Sequence, residues 1–98
     1  MNANVILFNL KEAEEELRRL IAAFEASPDY SFENYHVGMA HLYHHLNTAW
    51  NSRNVTREQW RDPSDGAFQR WEQMPTDLPL IGSDAYYDLP EYDDMDKE

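Results

Sequence analysis

Residues 6–24, ILFNLKEAEEELRRLIAAF, decide the fold class. Ile6, Leu10, Ala13, Leu17, Leu20, Ile21 and Phe24 recur at steps of three and four, which places them on one face of a helix. The opposite face is charged, with Glu14 before Arg18 and Glu15 before Arg19 in the favourable acid-first i,i+4 order. Asn9 followed by Glu12 has capping-box spacing, with Phe8 and Ala13 placed as a hydrophobic staple; a start near Asn4 keeps the same phase. Pro28 biases Ser27 away from helical geometry and ends the element.

Downstream, the spacing predicts a second helix from about Ser31, its N-cap, to about Ser52. Phe32, Tyr35, Met39, Leu42, Tyr43, Leu46 and Trp50 fall within an arc of about 100° and form the expected core face. Gly38 and Ala49 lie together on one flank, where another helix can come close. The connection Ser27–Tyr30 is short, so the two helices are expected to pack antiparallel. The core predicted on this phase joins Leu17, Leu20 and Phe24 to Met39, Leu42, Leu46 and Trp50. Thr56 and Gln59 repeat the capping-box spacing and open a short third helix, which stops near Arg61 because Pro63 has no amide hydrogen to donate. Asp62-Pro63 then reads as cap and first residue of a fourth helix reaching Gln73, with a single helix kinked at Pro63 as the alternative. No strand pattern competes. The expectation is an all-α protein: a small bundle of two long antiparallel helices plus one or two short ones.

Charge and punctuation set the outer boundaries. The chain has 98 residues with 8 Lys and Arg against 19 Asp and Glu, a net charge of −11. Residues 84–98 carry seven of those acids against the single base Lys97. Pro75, Pro79, Gly82 and Pro90 interrupt any helical period beyond Met74. The organisation expected is therefore one helical domain over residues 1–83, made of a body (1–74) and an extended arm (75–83), followed by an acidic, flexible tail (84–98). The length allows one domain with a modest core. No apolar run reaches the ~20 residues of a bilayer span, and no leader pattern is present. The absence of Cys removes disulfides, thiolate catalysis and Cys-ligated metal centres. The acidic balance argues against nucleic acid and anionic membranes as partners, since both call for clustered Lys and Arg. A soluble, cytoplasmic protein is the expectation.

The chemistry-bearing residues concentrate on the second helix. All four His lie there: His36, His41, His44 and His45. His41 and His45, at i,i+4, point the same way as two helix-borne metal ligands must. Leu42 occupies the place where a metalloprotease helix has its Glu, and the simpler account is a pair of solvated imidazoles. His36, His44, Asn47 and Asn51, with Ala40 between them, line one edge of the core arc. They offer donors and acceptors either to a small ligand or to neighbouring backbone at a helix seam. His36 and Asn47 are expected to be less exposed than His41 and His45. Arg53, beside Asn51, can present a fork to a carboxylate or phosphate, or simply complement the helix C-terminus. Trp60 stands among charged neighbours, either plugging its short helix onto the bundle or anchoring an interface. In the tail, Tyr86, Tyr87, Leu89 and Tyr92 are aromatic and apolar anchors spaced by acids, as in a segment that folds on a partner.

There is no glycine-rich phosphate loop, no G-x-S-x-G elbow and no carboxylate pair visibly forced into an apolar pocket. The function expected is a non-enzymatic protein-interaction module without a cofactor. Its partner would be a basic or amphipathic protein, with a homo-oligomer as the other arrangement. The alternative is a small-ligand or divalent-metal site, with hydrolysis as the chemistry it would suit, along the His and Asn residues of the second helix.

Overall fold

The structure is a computed structural model describing residues 1–79. Four α-helices follow one another: α1 (Ala3–Ala26), α2 (Phe32–Asn51), α3 (Arg57–Arg61) and α4 (Ala67–Glu72), with no strand among the described residues. The fold class is all-α, and the two long helices pack on each other. The tail, including Tyr86, Tyr87, Leu89 and Tyr92, lies outside the described residues, as does most of the second half of the arm.

Local chemistry sets each start. Asn2 caps α1, its Oδ1 accepting from the Val5 amide, so the first helix begins well ahead of the Asn9–Glu12 spacing and close to the alternative start near Asn4. Asn2 also joins the two ends of the hairpin: its amide donates to the Arg53 carbonyl and its Nδ2 to the Val55 carbonyl. Ser31 caps α2, and Thr56 and Gln59 close a reciprocal capping box on α3, both as the spacing predicts. The fourth helix differs from expectation. Asp62 and Pro63 do not open it; the chain turns through Ser64 and Asp65, and Gly66 at φ 76° leads into α4. That left-handed residue, which glycine adopts without strain, re-aims the chain toward α2, and the Arg70 guanidinium holds the turn through Ser64 Oγ and the Asp65 carbonyl.

α1 meets α2 along a seam of Val5, Asn9, Ala13, Glu16 and Leu20 on one side and Gly38, Leu42 and Ala49 on the other. This seam is rotated by about 70° on α1, and by about 75° on α2, from the apolar stripes in the sequence. The predicted core needs correction accordingly. Leu20 and Leu42 are buried, with Met39 partly buried against them, but Leu17, Phe24 and Leu46 are about half exposed. The cause is backbone proximity. A Cβ on Gly38 would collide with Leu20, so the helices touch where side chains are small, beside the large apolar residues. The hairpin is closed at its loop end by Phe24, edge-on to Tyr30 and Tyr35 at 5.3 and 5.5 Å between ring centroids.

α4 packs on α2 through two carboxamides one helical turn apart. Asn47 Nδ2 donates to the Glu72 carbonyl, and Asn51 Nδ2 to the carbonyls of Trp71 and Gln73. These are the carbonyls that a helix C-terminus leaves without partners. Beyond α4 the arm turns back over the end of α2, where Asp77 meets Trp50 and Arg53.

Candidate functional site

Two of the most deeply buried side chains on α1 are polar: Asn9, 2% exposed, and Glu16, 5% exposed. Each is tied across the seam to an imidazole of α2. The Glu16 carboxylate accepts from the Arg19 guanidinium and from His41 Nδ1, the latter at 3.0 Å. Asn9 Nδ2 donates to the Val5 carbonyl at 3.0 Å, which turns its Oδ1 toward His45 Nδ1 at 3.2 Å. The two rings then meet through their other nitrogens, His41 Nε2 and His45 Nε2, 3.1 Å apart. The result is a chain of polar groups, Glu16–His41–His45–Asn9, laid across both long helices. Burial lowers the pKa of His45 below the usual imidazole value, and the neighbouring His41 lowers it further, while the Glu12 carboxylate acts in the opposite sense. The sequence marks the His pair by its i,i+4 spacing. Asn9 has a capping-box spacing and Glu16 no motif of its own in the sequence, and the sign of their role is that Asn9, Ala13, Glu16 and Leu20 form a second helical stripe.

Above this chain the short helices wall an open cleft of about 460 Å³, with His41, His44 and His45 on one side and Phe8, Trp60 and Phe68 on the other. Trp60 is the hub of the wall. It stacks on Trp71 at 5.4 Å and lies edge-on to Phe68 and Phe8 at 5.9 and 6.1 Å. It joins α3 to α1 and α4, and its remaining face lines the cleft. Imidazoles beside an aromatic wall can take a cation or a flat ligand. No buried side-chain nitrogen or oxygen among the described residues lacks a hydrogen-bond partner.

The edge of polar residues anticipated on α2 divides among three surroundings. Asn47 and Asn51 hold the end of α4. His44 enters the cleft. His36 lies in the open, stacked on Phe32 at 6.0 Å between centroids, so the expectation that it would be shielded is corrected; Asn47 alone of that pair is buried. The physical reason is the rotation of the seam, which turns His45 toward α1 and leaves His36 on the outer side. Arg53 does meet a carboxylate, that of Asp77 in its own chain at 3.4 Å, and its guanidinium lies 4.1 Å from the centre of the Trp50 ring. Asn51 is not part of that fork.

The opposite side of the hairpin is apolar and largely uncovered. Leu10, Leu17 and Ile21 of α1 and Tyr43 and Leu46 of α2 line it, between 40% and 50% exposed. On a pair of antiparallel helices these positions share one side, turned away from α3, α4 and the His pair. No helix among the described residues is long and apolar enough to cross a membrane. No group of three His, Cys, Asp or Glu among them is arranged to hold a metal ion. No protein-family model matches the chain, and no curated protein or solved structure is found to match it.

Proposed function

We propose that this protein is a non-enzymatic interaction module that receives an amphipathic, basic helix of a protein partner on the uncovered side of the α1–α2 hairpin. The observation that carries the reading is the row Leu10, Leu17, Ile21, Tyr43 and Leu46. Five large apolar side chains remain 40–50% exposed along both long helices, beside a seam that includes the small residues Ala13, Gly38 and Ala49. Contiguous apolar surface of this kind marks association sites, and residues at three-, four- and seven-residue spacing match the anchors of a docked helix. The net charge of −11 supports a basic partner over a second copy, since two copies would bring like charges together.

The test uses a labelled synthetic helix of alternating Leu and Lys faces as the probe, followed by fluorescence anisotropy. Saturable, salt-sensitive binding is expected, and the double variant Leu17→Glu/Leu46→Glu should lose it while keeping its helical circular dichroism. Binding that the double variant retains, or sedimentation showing that the free protein is already a dimer through these residues, would refute the reading.

A further inference from the structure

His41 and His45 lie on the other side of the hairpin from the apolar row, facing the cleft. Their outer-sphere partners decide where the ring protons sit. Asn9 donates through Nδ2 to the Val5 carbonyl, so the atom facing His45 Nδ1 is an amide oxygen, which only accepts. His45 Nδ1 must therefore carry the proton. Glu16 accepts from Arg19 as a carboxylate, and its other neighbour, His41 Nδ1, must donate as well. With both Nδ1 atoms protonated, the neutral rings direct lone pairs from their Nε2 atoms into the same 3.1 Å gap. Two lone pairs facing each other there repel, and a positive centre between or beside them removes the repulsion.

The gap suits a metal ion. Two imidazole nitrogens bound to one zinc at about 2.0–2.1 Å, at angles of roughly 90–110°, are about 2.8–3.4 Å apart. The ring planes are inclined by 62° and the centroids lie 4.7 Å apart, so the nitrogens meet obliquely. An ion can sit off the line joining them, and a proton shared between the two rings is the competing occupant of the gap. Glu16 and Asn9 already hold the second nitrogens, as the acceptors behind metal-bound His do. We propose that His41 and His45 bind one divalent late transition-metal ion (zinc, nickel or copper) through their Nε2 atoms, with Glu16 and Asn9 fixing the rings from behind. No third His, Cys, Asp or Glu among the described residues completes a cage, so water fills the remaining positions and the ion faces the cleft. Imidazole ligands order the metals with Cu²⁺ above Ni²⁺ and Zn²⁺, and exclude Mg²⁺.

The experiment is long-range ¹H–¹⁵N NMR of the imidazole rings in the full chain, first without metal and then during addition of Zn²⁺, with Mg²⁺ as the contrasting ion. Metal-free rings of His41 and His45 should show protonated Nδ1 and bare Nε2. Zn²⁺ should shift those two Nε2 resonances together and leave His36 unmoved, and Mg²⁺ should move neither. By calorimetry, His41→Gln and His45→Gln should each remove saturable Zn²⁺ binding. Glu16→Gln should weaken it by about 10–100-fold, and His36→Gln should leave it unchanged. Because the NMR is done on the unsubstituted protein, unfolding of a variant does not obscure the answer. Protons found on Nε2, Zn²⁺ that moves neither Nε2, or binding that persists in His41→Gln/His45→Gln would overturn the proposal.

Discussion

Gly38 of α2 lies so close to Leu20 of α1 that a Cβ at Gly38 would stand 2.6 Å from Leu20 Cδ2 and 3.1 Å from Glu16 Oε1. Leu20 is buried and has little room to yield. Gly38→Ala therefore sets two effects against each other: overpacking costs about 1–3 kcal/mol, and replacing a mid-helix glycine returns about 1 kcal/mol. The collision should win. Chemical denaturation should show a destabilised variant, and Gly38→Val should be worse than Gly38→Ala. A stabilised Gly38→Ala would mean that the helices are farther apart than described.

Leu42 and Leu46 are four residues apart on the same helix, yet they should respond differently to truncation. Leu42 is buried at the seam, and Leu46 is 40% exposed on the uncovered side. Leu42→Ala should cost about 2–5 kcal/mol, and Leu46→Ala about 1 kcal/mol, in proportion to the smaller area it takes out of water. Equal losses would place both residues in one core and would weaken the case for an open binding side.

The two long helices and most helix ends were legible in the sequence because capping is local. Ser31 and the Thr56–Gln59 pair act within one turn, and Pro28 acts on its immediate neighbour. Helix rotation was not legible. The hydrophobic period marks where large residues lie, whereas the closest approach of α1 and α2 follows the small residues Ala13, Gly38 and Ala49. Asp62-Pro63 is a good local start signal, overruled by a turn whose direction depends on the distant α2. The same division holds at the candidate site. The spacing of His41 and His45 is visible in one helix, but Asn9 and Glu16 become their partners only through a packing between helices that no local pattern encodes.

Asn47 should matter for stability through the end of α4. Its amide reaches the Glu72 carbonyl at 2.9 Å from a buried position. Asn47→Ala removes that donor and leaves the carbonyl without it, at a cost of about 1–3 kcal/mol. Release of α4 should also disturb Trp71 and Trp60, so the tryptophan emission of the folded variant should shift to the red. A loss within about 0.5 kcal/mol, with unchanged emission, would mean that the aromatic cluster alone holds α4 in place.

Asp77 links the arm to α2, and its titration reports whether that link forms. The Trp50 indole donates to Asp77 Oδ1 at 2.9 Å, and the Arg53 guanidinium approaches Oδ2 at 3.4 Å. Both favour the ionised carboxylate, the Trp50 bond most, and they hold Asp77 below the usual carboxylate value. In the unfolded chain neither neighbour is present, so the unfolded state takes up a proton at higher pH than the folded one. The stabilisation is therefore complete above the usual carboxylate value and is lost as pH falls through the lowered folded value. Asp77 is exposed at the surface, so this is a local docking effect and not a determinant of global stability. Carboxyl ¹³C NMR should show Asp77 titrating below the usual carboxylate value, with the Trp50 indole proton shifting at the same pH. Trp50→Phe should raise the Asp77 midpoint toward the usual carboxylate value. An Asp77 that titrates at the usual value in the unsubstituted protein would mean that the arm does not rest on α2 in solution, and Arg53 would then be free to receive a carboxylate from elsewhere.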